Sequence, residues 1–134
     1  MSVHLRGQDG EQIKISGGHW AVYLHVAQAF GWVPQGTVRP AQWPAEAQWG
    51  GAYDSSDGQV VAEADAKALA QTLNGAIRSP QIGEALFDVI AGIESLLEAR
   101  GVQVPEQMRM HPNDFSQEFS PVILFLYKGS FVIE

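Results

Sequence analysis

Cysteine is absent from the 134 residues, which excludes a disulfide framework, a thiolate nucleophile and a Cys-ligated zinc site. Long apolar runs are missing as well. The longest, Val122 to Tyr127, falls far short of the ~20 residues that span a bilayer, and Met1 to Arg6 lack the basic-then-apolar pattern of a signal peptide. A cytoplasmic protein with no membrane partner is expected. Positive charge is scarce: eight Lys and Arg stand against fifteen Asp and Glu, for a net charge of −7. Phosphate backbones need clustered cations, and here they are scattered singly, so nucleic acid is not an expected partner. A basic protein is the complementary one. There is no Gly-rich phosphate loop and no Gly-x-Ser-x-Gly elbow. His19 and His25 are six residues apart, off the i, i+4 line of a metal pair, and no cofactor or metal is expected.

What is present is the composition of a folded chain, 46% apolar and 17% charged, of a length that makes residues 1–134 one domain. Val3 and Leu5, then Ile13 and Ile15, alternate with polar neighbours around Gly7-Gln8-Asp9-Gly10, a hairpin pattern. Phe131 and Ile133 repeat the alternation at the far end, and a third strand is what a marginal hairpin needs. Between them the period becomes helical. Trp20, Tyr23, Leu24, Ala27 and Phe30 predict a first helix ended by Gly31. A second runs from about Glu63 to Ile77, with Ala66, Leu69, Ala70 and Leu73 on one face. A third runs from Pro80 or Gln81 to Arg100, with Gly101 past its end. Residues 117–128 read equally as a buried strand or as a short helix with Pro121 in its first turn. The fold class is α+β: three to four helices packed on a small antiparallel sheet formed by the N-terminal hairpin and the C-terminal strand.

Two connections, residues 32–52 and 102–116, are long for a compact domain and aromatic enough to be packed loops. His111-x-x-Asp114 in the second reads as a loop hydrogen bond. After the first comes the bend Tyr53-Asp54-Ser55-Ser56-Asp57-Gly58-Gln59-Val60-Val61. As a calcium loop it fails, because Tyr53 and Ala64 would occupy positions that require carboxylates. As a turn it is coherent: Asp57 or Ser56 bonds local backbone N–H groups, Gly58 supplies a positive φ, and Gln59 and Tyr53 fasten the bend to the Trp-bearing loop.

Several landmarks occur together in order: Gly31-Trp32-x-Pro34-x-Gly36-Thr37, the 53–61 bend, Asp65-Ala66-x-x-Leu69-Ala70-x-x-Leu73 and Gly129-x-Phe131-x-Ile133. In this the chain resembles a group of small bacterial proteins with a Gly-Trp-x-Pro-x-Gly-Thr loop, a Tyr-x-Ser-Asn-Asp-Gly-Gln bend and a terminal Gly-x-Phe-x-Ile strand. The likeness covers roughly residues 20–133 with large gaps, and departs at Ser56, where the group has Asn. It implies a helix over residues 117–128 and brings no activity with it.

Two surfaces are candidates. At about 100° per residue, Glu84, Asp88, Glu94 and Glu98 of the third helix share an arc of about 120°. Phe87 lies within that arc. The i, i+4 acid pairs repel, no cation relieves them before Arg100, and all four carboxylates are expected to face water. An acidic stripe holding one aromatic suits a basic protein; the plainer alternative is a solvated face with Phe87 tucked under a loop. The second surface is Trp32, Trp43, Trp49, Tyr53, Asp57 and Gln59, either a ligand site or a set of loop anchors. The preferred function is a small acidic non-enzymatic protein-binding module, an inhibitor or immunity-type partner of a basic protein. The alternative is a small-molecule binder or hydrolase centred on the Trp-rich loop, with Asp57 as polar anchor or general base.

Overall fold

A computed structural model describes residues 2–134. Strands β1 (Ser2–Gly7) and β2 (Gln12–Ser16) form the expected hairpin, and helix α1 (Gly17–Ala29) follows at once. Ser16 starts α1 by accepting from the His19 N–H at 3.1 Å, the usual service of a serine cap. Gly31 ends it at φ 105°. The Gly31 and Trp32 N–H groups bond back to Gln28 and Ala27, a Schellman closure that satisfies the last free carbonyls. A short strand β3 (Gln59–Val61) precedes α2 (Glu63–Ile77), α3 (Ile82–Ala99), two 3-10 turns, α4 (Phe119–Tyr127) and β4 (Phe131–Ile133).

The helices match the period-based expectation, and residues 119–127 are helical. Pro121 sits in the first turn of α4, where its missing N–H costs nothing, and Gly129 beyond it takes φ 108°. The sheet is fully antiparallel in the order β2-β1-β4-β3. Two points exceed the expectation. The bend leads into a strand rather than straight into a helix, and β4 is an interior strand, paired with both β1 and β3. Three residues are too few for an alternation to be read, so β3 becomes visible only through its partner, where Val61 faces Phe131 and Gln59 faces Ile133.

One face of the sheet carries Val3, Leu5, Ile15, Val61, Phe131 and Ile133 into the core. The opposite face, with His4, Arg6, Gln12 and Lys14, is open. Above the sheet, α1 is buried on several sides through Trp20, Val22, Tyr23, Leu24, Val26 and Ala27, as befits a helix that is apolar around much of its circumference. Helix α2 buries Ala66, Ala70 and Ala76 beside Leu69 and Leu73, and it packs against α4. Helix α3 lies outermost, against α1 on one side and the second 3-10 turn (Pro112–Phe115) on the other.

Candidate functional site

Helix α3 is eighteen residues long and strongly apolar, yet only Leu86 and Ile90 are buried. Phe87 is 65% exposed and Leu96 58% exposed, so no loop covers Phe87. Glu84, Asp88 and Glu98 face water as expected. Glu94 does not: its side chain is 17% exposed and turns toward Arg109, with Nε of Arg109 4.0 Å from Glu94 Oε2. Arg109 Nη2 also lies 3.8 Å from Glu98 Oε1. The four-carboxylate stripe is thus two units, an open pair at Glu84 and Asp88 and a pair at Glu94 and Glu98 that a cation from another segment partly neutralises. Arg109 escaped the sequence reading because the 102–116 loop has no period to say where its side chains land.

That segment walls a groove of about 430 Å³ lined by Phe87, Ile90, Ala91, Glu94, Ser95, Glu98 and Arg109 to Pro112. It is held in place by a reciprocal turn. The His111 N–H donates to Asp114 at 2.8 Å, and the Asp114 N–H donates back to the His111 carbonyl at 2.9 Å, the loop bond expected of this pair.

The Trp loop separates into a buried part around Trp32 and a half-buried part around Trp43 and Trp49. Trp32 is buried and donates from Nε1 to Asp65 Oδ1 at 3.1 Å. Tyr53 donates to Asp65 Oδ2 at 2.5 Å and accepts from the Gly36 N–H at 2.8 Å. Burial, then the Asp65 carboxylate, raises the Tyr53 phenol above its usual pKa. Asp65, in the first turn of α2, is itself buried. Trp49 donates to the carbonyl and hydroxyl of Thr37, both at 3.1 Å. Trp43 meets Trp49 edge-on at 4.9 Å.

In the bend, the bonding role expected of Asp57 or Ser56 belongs to Gln59. Its buried amide donates to the Ser55 and Ala52 carbonyls at 2.6 and 3.2 Å and accepts from the Asp57 N–H at 2.9 Å. A longer side chain reaches both arms of the turn from the strand behind it, which Asp57 at the tip cannot do. Gly58 has φ +85°, as the turn requires. Of the six residues proposed for this surface, only Trp43 and Asp57 share an open groove, of about 630 Å³, together with Arg6, Gln42, Ser56 and Glu134.

A third cluster was not foreseen. His19 and Tyr23 stand one turn apart on α1, and Glu118, just ahead of α4, accepts from the Tyr23 hydroxyl and lies 2.9 Å from His19 Nδ1. Phe115 packs against both rings. Burial and then Glu118 push the Tyr23 phenol well above its usual pKa. The i, i+4 spacing was legible, but its acidic partner is 99 residues from His19.

Among the described residues, no helix is long and apolar enough to cross a membrane, and no group of three or more His, Asp or Glu side chains is placed to hold a metal ion. No protein-family model, no curated protein and no solved structure matches the chain.

Proposed function

We propose that the protein is a small acidic, non-enzymatic binding module of the cytoplasm that holds a basic protein on the outer face of α3, as an inhibitor or immunity-type partner does. The observation that carries this is apolar surface left open on α3: two of its eighteen residues are fully buried and Ile82, Val89 and Ile93 pack partly buried against the core, yet Phe87 and Leu96 stand exposed. Exposed apolar surface of this kind, rimmed by charge, marks interaction sites. Burying Phe87 is worth about 1.5–3 kcal/mol, and Glu84 and Asp88 beside it would steer a cationic partner and set its orientation.

The test is affinity capture from cells that make the protein, comparing wild type with Phe87→Ala and with Glu84→Lys/Asp88→Lys. The expected result is one basic protein retained by wild type, lost with either variant and released by salt. Equal capture by all three, or capture of no basic protein, overturns the reading. A second reading draws on the meeting of Trp43, Asp57 and Arg6 in one open groove, an arrangement suited to a small polar molecule. A metabolite that copurifies with wild type and is lost in Trp43→Ala would favour it.

A further inference from the structure

Apart from proline, glycine is the poorest residue for the interior of a helix, and Gly92 stands exposed in the middle of α3. No packing within the chain requires it. Among the described residues, no other element comes within 4 Å of the place its Cβ would take. Gly92 lines a groove of about 470 Å³ between α1 and α3, with Ala29, Val89, Ile93 and Leu96 around it. None of the lining residues is acidic, although the chain carries a net charge of −7. Leu96, one turn on from Gly92, stands open beside the groove. Asp88, Gly92, Leu96 and Arg100 follow at intervals of four residues, which makes them one ridge along α3. Asp88 and Arg100 are exposed, and neither joins an ion pair among the described residues.

We infer that α3 pairs with α3 of a second copy of this chain, antiparallel about a twofold axis. Ridges of i, i+4 residues pack side by side when two helices cross at about −50°. With the axis at residue 94, the ridge is its own complement. Leu96 of each copy enters the notch at the partner's Gly92, and Asp88 of each copy faces the partner's Arg100. A twofold contact repeats each match twice, and opposite charges at its ends fix the register. The missing side chain at Gly92 lets the helices approach closely, and Val89 and Ile93 are covered in the process. Phe87 lies about 180° from Leu96 around the helix, so the pairing leaves it open to another protein.

Analytical ultracentrifugation of the full chain reads the association, with circular dichroism confirming that each variant is folded. Wild type should reach twice the chain mass, reversibly, at micromolar to submillimolar concentration. Gly92→Leu fills the notch with a better helix former, so it should stay folded and remain a monomer. Leu96→Ala should weaken the dimer by removing the side chain that enters the notch. Asp88→Arg alone and Arg100→Asp alone each set like charges opposite one another twice, and each should raise Kd by about tenfold or more. Asp88→Arg combined with Arg100→Asp restores opposite charges across the axis and should bring Kd back to within about threefold of wild type. A role confined to the single chain would give no such rescue. A wild type that is monomeric throughout, a dimer unchanged in Gly92→Leu or Leu96→Ala, or a double reversal as weak as the single ones overturns the inference.

Discussion

Replacing Asp65 with alanine tests how the Trp loop is held. The carboxylate accepts from Trp32 Nε1 and from the Tyr53 hydroxyl, and hydrogen bonds to a charged group are worth about 1.5–3 kcal/mol each. Two terms reduce that sum. Removing the carboxylate also removes its own desolvation penalty, and Tyr53, only half-buried, can turn its proton to water. The buried indole N–H of Trp32 has no such recourse and costs about 1–3 kcal/mol unpaired. The net expectation is a loss of about 2–3 kcal/mol, or about 10 °C in Tm for a chain of this size. Asp65→Asn should cost nearly as much, because its amide presents a donor to one of the two donors. Urea and thermal unfolding measure the loss, and a double-mutant cycle with Tyr53→Phe should return a coupling of about 1 kcal/mol. If Asp65→Ala unfolds within about 0.5 kcal/mol of wild type, the Trp32 and Tyr53 bonds do not hold the loop.

Alkaline pH should weaken the fold. Tyr23 and Tyr53 are held neutral above the ordinary value of 10, so stability is complete below about pH 10 and falls as pH rises past it, when the unfolded chain ionises first. Tyr23 contributes about 1.4 kcal/mol per pH unit there, and Tyr23→Phe should flatten urea midpoints measured across pH 8–11; an unchanged slope refutes its role. Gly58→Ala should cost about 1 kcal/mol or more, since φ is positive and a Cβ would lie 3.1 Å from Gln42 Nε2. Asp57→Ala should stay within about 0.5 kcal/mol, and the reverse ranking by denaturant unfolding would return the bend to Asp57. Deleting residues 129–134 should unfold the whole chain by circular dichroism, because it removes buried Phe131 and Ile133 and the strand between β1 and β3. A truncated chain with native Tm would refute the topology.

The first three helices were legible from their period, helped at α1 and α3 by a stop signal. Gly31 and Gly101 mark the ends of α1 and α3, and Leu69, Ala70 and Leu73 repeat on one face of α2. The apolar run 122–127 had no period to separate helix from strand, so its helix was one of two readings that the residues allowed equally. The candidate site was less legible. The angular positions of Glu94 and Glu98 followed from helix geometry alone, but the burial of Glu94 depends on Arg109, which arrives from a loop whose course no local pattern dictates. Asp65 has the same difficulty: an acid in the first turn of α2 suits the helix dipole on an open surface, and its burial goes with Trp32 and Tyr53, which bond its carboxylate from a distant loop.

The central place of β4 in the sheet also shapes how the chain is made. Arg6 and Glu134, bonded at 2.6 Å, are 128 residues apart, and a ribosome adding ~5–20 residues per second separates their synthesis by about 6–25 s. Through that interval β1 has one partner, and its other edge, with the apolar face of Val3 and Leu5, waits for a strand that has not been synthesised. Slow closure follows from such distant pairing. The nascent hairpin, rather than the finished protein, is the stage at which misassembly and chaperone capture have their longest opportunity.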